Sequence, residues 1–175
     1  MDINIIWETG TIADNEIDGF TDLLRQGLET ALAMLDLKFE SGPEIGLLVT
    51  DDEGIRILNR DYREINEPTD VLSFAMLEGE EEGIYNHERS ILGDIVISAQ
   101  TAARQAAEGR DGVGYEGSAS HSLAWEMIFL SVHGLLHLCG YDHGSDREAY
   151  DMSQWETRIM SRIAERLGDD SLTIE

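Results

Sequence analysis

A chain of 175 residues with 42% hydrophobic and 27% charged side chains has ordinary globular composition and enough length for one sizeable core, which excludes a disordered chain, a collagen-like repeat and a coiled coil. The formal net charge of −24, with Lys38 the sole lysine, opposes polyanions at long range, but screening over about 8 Å leaves a nucleic acid to respond to local arginines. No apolar run approaches the roughly 20 residues that span a bilayer, the start MDINIIWETG has no cationic stretch ahead of an apolar one, and the lone Cys139 cannot form an internal disulfide, so the expectation is a cytoplasmic chain with no membrane partner.

Ile3, Ile5 and Trp7, alternating with Asn4 and Ile6, predict a first strand. Asp14 or Asn15 is positioned to cap a helix whose stripe is Ile17, Phe20, Leu24, Leu28, Ala31 and Leu35. Beyond the break at Ser41, Gly42 and Pro43, Glu44 to Val49 reads as a second strand. Thr50, Asp51 and Asp52 then offer capping oxygens to a short helix carrying Ile55, Leu58 and Tyr62 and ending near Arg63. A proline-led turn leads into a strand from Val71 to Met76. The acidic run Glu78 to Glu82 reads as a solvated loop, with His87 solvated in it, and ILGDIVIS from Ile91 to Ser98 as another strand. Ser98 caps an alanine-rich helix that Gly109 stops, and residues 109 to 117 form a loop.

A long helix is predicted from Ser118 or Ser120, with Leu123, Met127, Leu130 and Leu135 among its apolar residues. Being apolar almost all round, it belongs in the centre of the fold. Ser145 or Asp146 caps a last helix to about Leu167, and residues 168 to 175 read as a frayed tail. With no repeat or linker in sight, one domain over residues 1 to 175 is expected, of α+β class or an α/β sandwich.

The central helix ends in HGLLHLCGYDH, residues 133 to 143, which holds three of the five histidines. His133 and His137 are four apart, so at about 3.6 residues per turn both imidazoles leave one helix face. Gly140 lets the chain turn out of the helix through a left-handed residue, so that His143 can swing back. Three nitrogens directed at one point leave a tetrahedral zinc one open position, the pattern of a catalytic rather than a closed structural site. The spacing is that of H-E-x-x-H-x-x-G-x-x-H, but the position of the general-base Glu is Gly134, which has no side chain to accept a proton. A peptidase is therefore disfavoured. Cys139 sits on another helix face and is expected to be a small buried residue, and His121 is expected at the surface. Asp142, beside His143, either orients a ligand imidazole or stabilises the turn. Asp70 and Asp94, beside strands, are read as making supporting hydrogen bonds to backbone or ligand rather than as catalytic groups.

HGLLHLCGYDH resembles the signature of the YbeY family of endoribonucleases. LNRDYREINEPTDVLSFAM at 58 to 76 is similar to that family's second block and ILGDIVIS at 91 to 98 to its third, while Glu126 and Ser131 precede the histidines as in the family. The sequence departs from the family pattern at Ala75, where a proline commonly follows LSF. The resemblance implies an α+β fold with a mixed sheet of about four strands between helices and a buried helix carrying the metal ligands. It also implies a zinc-dependent, single-strand-specific endoribonuclease of 16S ribosomal RNA 3′-end maturation and ribosome quality control. Its partners would be the 16S precursor, the ribosome or its proteins, and a ribosome-associated GTPase. His133, His137 and His143 match the ligands of one zinc ion, and Arg63 matches the arginine implicated in cleavage; by position alone Arg63 is a surface residue that ends a helix. Its guanidinium can hold two phosphate oxygens as charge builds up, and Arg60, one turn earlier, is a weaker phosphate contact. Either water or an RNA 2′-hydroxyl can be the nucleophile. The competing readings are a metallohydrolase of another substrate class, such as a metzincin-like peptidase, and a non-catalytic ribosome-assembly factor whose metal is structural.

Overall fold

The computed structural model describes residues 1–37, 42–76, 91–109 and 121–168. In chain order the elements are β1 (Asp2–Trp7), α1 (Ile17–Leu35), β2 (Glu44–Thr50), α2 (Asp52–Arg63), β3 (Val71–Ala75), β4 (Ile91–Ser98), α3 (Ala99–Glu108), α4 (Leu123–Leu138) and α5 (Asp146–Leu167). The four strands form one mixed sheet in the order β1-β2-β4-β3. β1, β2 and β4 run parallel, and β3 lies antiparallel to β4, with Val71 opposite Ile97 and Ala75 opposite Gly93. The class is α+β, as the sequence and its family resemblance imply.

Alternation along the strands decides which helix meets which face. Ile45, Leu47 and Val49 of β2 and Ile95 and Ile97 of β4 are buried in the main core, with the stripes of α1, α4 and α5. The intervening residues Leu48, Leu72, Phe74 and Val96 face the other way and pack with Ile55 and Leu58 of α2. Among the described residues α2 thus covers one face of the sheet, and α4 lies in the thicker layer on the opposite face.

The expected central helix is α4. Thirteen of its residues are buried, and beyond its first residue, Leu123, the exceptions are His133 and His137. Burial all round removes solvent from a rigid rod, leaving only the two imidazoles to open at its C-terminal end. The helix begins after Ser122, whose side-chain oxygen accepts from the Trp125 N–H at 3.1 Å, which places the cap downstream of the expected one. Ser118 and Ser120 lie outside the described residues, as do the acidic run 78–82, His87 and most of the predicted loop at 109–117.

The caps of α2, α3 and α5 fall on Asp51, Ser98 and Ser145, each accepting from a backbone N–H of the first turn. Neither Asp14 nor Asn15 caps α1. The chain makes a turn in which the Glu16 N–H bonds the Ala13 carbonyl, so Glu16 is already helical in its dihedrals at the N-cap and no side-chain oxygen reaches the first turn. α1 is held by its buried face instead, through Phe20, Leu24, Leu28 and Ala31. Among the described residues no helix is long and apolar enough to cross a membrane.

Candidate metal centre

α4 brings His133 and His137 onto one face, with ring centroids 4.7 Å apart and Nε2 atoms separated by 3.2 Å. Two nitrogens held about 2.0–2.1 Å from one tetrahedral ion lie roughly 3.3 Å apart, so the pair is spaced as a bidentate clamp. The helix stops at Leu138. Gly140 then takes a φ of +86°, a left-handed conformation that suits glycine, and its N–H bonds the His137 carbonyl. This turn returns His143 to the clamp, with ring centroids 5.9 Å from His133 and 5.1 Å from His137. One nitrogen of each imidazole lies within 4.8 Å of the others, and the three residues can together hold a metal ion.

His133 and His137 are partly buried and His143 is exposed, so the cluster opens to solvent on the His143 side. Burial, followed by the neighbouring His133 and His143 rings, lowers the pKa of His137 below its ordinary value. A lone pair is accordingly available on His137 at neutral pH. The His133 Nδ1 lies 2.7 Å from Glu156 Oε1 on α5, and Glu156 is itself buried. With Nδ1 engaged by a carboxylate, the Nε2 that faces His137 is the nitrogen left to bind an ion. The donor set is therefore all nitrogen, one of the donor sets that zinc accepts. Cys139 does not add sulfur to it: desolvation pushes its thiol up to about 12, and its side chain, expected to be buried, is half-buried against the core at the end of α4.

Glu156 has no place in the sequence reading. The signal was present, because α5 buries Met152, Ile159, Met160 and Ile163, and Glu156 falls on that same face. A carboxylate in an apolar stripe needs a partner, but only the fold shows that the partner is His133.

Gly134 faces the sheet. A Cβ placed there would meet Ile95 Cγ2 at 2.8 Å and Ser73 Oγ at 3.1 Å. The position following the first histidine is filled by a close helix–sheet contact, which leaves no room for the glutamate of a zinc peptidase.

The remaining candidates lie elsewhere. Asp142 Oδ1 accepts from the His143 backbone N–H at 2.8 Å, a turn contact. It therefore shapes the turn rather than orienting an imidazole. Asp70 accepts from the Val71 N–H and from Gln105 Nε2, tying the start of β3 to α3. Asp94 is exposed and precedes Ile95, which faces Gly134, so strand alternation sends the Asp94 side chain to the opposite face of the sheet, away from the histidines. Arg63 is exposed at the last position of α2 and makes no ion pair among the described residues. Its neighbour Tyr62 packs edge-on against Phe74 at 5.0 Å, while Ser73 Oγ donates to the Gly134 carbonyl at 3.3 Å. β3 therefore carries the C-terminal end of α2 on one face and α4 on the other. Arg60 Nε lies 2.7 Å from Asp61, which already occupies part of its guanidinium. His121, expected at the surface, is instead only 8% exposed in its side chain and sits 2.5 Å from the fully buried Glu126 of α4, because the chain entering α4 runs against α3, where the His121 N–H bonds the Ala106 carbonyl.

Residues 9–164 match the family described as endoribonuclease YbeY. The chain belongs to the YbeY family. An endoribonuclease YbeY of Desulfitobacterium hafniense is 39% identical over 165 residues, covering 93% of this chain and 98% of its own. Another, from Pelotomaculum thermopropionicum, is 44% identical over 140 residues, covering 78% and 85%. A Thermotoga maritima protein whose structure was determined in solution shares the fold with a TM-score of 0.60 at 20% identity, over 99% of this chain and 97% of its own. The YbeY resemblance carried by the histidine motif and by the blocks at 58–76 and 91–98 thus extends through most of the chain.

Proposed function

We propose that this protein is a zinc-dependent, single-strand-specific endoribonuclease acting in 16S ribosomal RNA 3′-end maturation and ribosome quality control, with one ion per chain held by His133, His137 and His143. The observation that carries this reading is the convergence of three imidazole nitrogens within 4.8 Å at the solvent-facing end of a buried helix, in a chain whose YbeY relatives are named endoribonucleases. When bound, zinc supplies a Lewis acid that polarises phosphoryl oxygen and brings the pKa of a water towards ~7. The chain's own residues bind and orient. Arg63, with its guanidinium free of acidic partners among the described residues, holds the phosphate as its charge builds up. Arg60 is a lesser contact, because it shares its charge with Asp61. The steric closure at Gly134 counts against a peptidase.

The partners on this reading are single-stranded RNA from the 16S precursor, the ribosome or its proteins, and a ribosome-associated GTPase, all in the cytoplasm. The test pairs metal analysis with cleavage of a single-stranded and a duplex RNA, with and without a chelator. Wild type should retain one zinc and cut only the single strand, and chelation should stop it. His137→Ala should lose both zinc and cleavage, and full zinc with normal cleavage would remove the site assignment. Arg63→Ala should keep the metal while cleavage falls by about 10²-fold or more. Unchanged turnover takes Arg63 out of the chemistry.

A further inference from the structure

The contact between α5 and the histidine cluster has the geometry of a built support. Glu156 Oε1 lies 2.7 Å from His133 Nδ1, with the Glu side chain 9% exposed and the imidazole 24%. Glu156 stands on the buried face of α5 between Met152 and Ile159, both in the main core, so the carboxylate is fixed by packing on either side. A carboxylate kept that far from water is retained at a cost in solvation unless its partner donates a strong hydrogen bond. As a neutral ring, His133 meets that need only in the tautomer that carries its proton on Nδ1, and that tautomer leaves the Nε2 lone pair facing His137.

We propose that Glu156 is the positioning residue of the metal centre: it selects the Nδ1–H tautomer of His133 and thereby couples the docking of α5 to metal affinity. This rests on the metal-centre reading above and deepens it. The ligands come from α4 and the turn that follows, whereas the support comes from a helix that supplies no ligand. Binding of an ion at Nε2 would fix the His133 ring in the orientation that its bond to Glu156 requires, so α5 is held more firmly when the site is loaded. By reciprocity, a better-docked α5 raises the affinity for the ion by the same factor. The sequence separation of 23 residues between His133 and Glu156 makes this a tertiary device.

The experiment uses the full chain without RNA and zinc ion as the probe. Zinc affinity is measured by competition with a chromophoric chelator for wild type, Glu156→Gln and Glu156→Ala. Ring-nitrogen NMR shifts of the metal-free proteins report the tautomer of His133, and hydrogen exchange with and without zinc reports the docking of α5. Wild type should show Nδ1–H on His133, and zinc should slow exchange around residues 152–160. Glu156→Ala should bind zinc about 10- to 100-fold more weakly and populate both tautomers. Glu156→Gln keeps the shape and an accepting oxygen, so it folds and recovers part of the affinity, which a purely structural role would not grade in this way. Affinity and tautomer unchanged in Glu156→Gln, and in Glu156→Ala wherever it folds, would overturn the proposal while leaving the metal centre intact. Failure of wild type to bind zinc would overturn both.

Discussion

At position 134 a single missing side chain separates two chemistries that share a histidine spacing. Ile95, whose Cγ2 would touch a new Cβ at 2.8 Å, is fully buried and β-branched on a central strand, so it has little room to turn away. Gly134→Ala should therefore cost on the order of 1 kcal/mol net, since overpacking of about 1–3 kcal/mol outweighs a gain of about 1 kcal/mol in helix propensity. Gly134→Glu, which restores the peptidase pattern, should cost more and bring no peptide cleavage. Urea denaturation with a peptide-cleavage assay checks both, and a stable Gly134→Glu variant that cuts peptide would show that the sheet contact does not decide the chemistry. Asp142 is placed by a single contact and Asp94 by strand alternation. A one-residue step along the chain places Asp142 on a backbone N–H and Asp94 across the sheet from the histidines.

Among the elements, α4 and the turn after it determine whether two histidines become three. α4 is burial-driven, and its register is fixed by apolar neighbours on every side, so the clamp is in place once the core has packed. The third histidine depends on the turn. Gly140 takes φ +86° with nothing within 4 Å of a notional Cβ, so an alanine there meets backbone strain but no clash. Gly140→Ala should lower stability by about 1 kcal/mol through the left-handed conformation and weaken zinc binding, because the path that returns His143 is disfavoured. Thermal melts and chelator competition separate the two effects. Zinc affinity equal to wild type would mean that His143 reaches the clamp without the left-handed turn.

Across the whole molecule, charge sets the response to pH and salt. Asp52 opens α2 and lies against the start of α3, where Ser98, Thr101 and Arg104 all donate to its carboxylate. Burial raises its pKa, but the hydrogen bonds from Arg104, Ser98 and Thr101 outweigh that and hold it at about 2, below the ordinary 3.8. A carboxyl depressed in the folded state contributes stability that is complete above about pH 4 and is lost as pH falls through about 2. Asp52→Asn should cost on the order of 1 kcal/mol at neutral pH after solvent screening, with the difference from wild type fading towards pH 2, measured by urea unfolding across pH. A difference independent of pH would assign the loss to packing. With a net charge of −24, added salt should raise the melting temperature of the whole chain by screening self-repulsion.

The sequence by itself determined the features that are local in the chain: the apolar runs of β1, β2 and β4, the cap at Ser98, the short polar stretches 50–52 and 145–146 from which the fold takes Asp51 and Ser145, the apolar surround of α4, the i, i+4 histidine clamp and the glycine turn after it. Each depends on residues within a turn or two of one another, where periodicity and side-chain chemistry act directly. It misplaced the cap of α1 because a turn at Ala13 to Glu16 competes with side-chain capping, and it misplaced His121 because burial there comes from α3 and α4 together. Only the tertiary structure decided that Glu156 supports His133, that Gly134 is closed by Ile95, and that the apolar stripe of α2 packs on the sheet face opposite α4. Those relations join residues far apart in sequence, and they exist only once burial of the apolar faces has fixed which helix covers which side of the sheet.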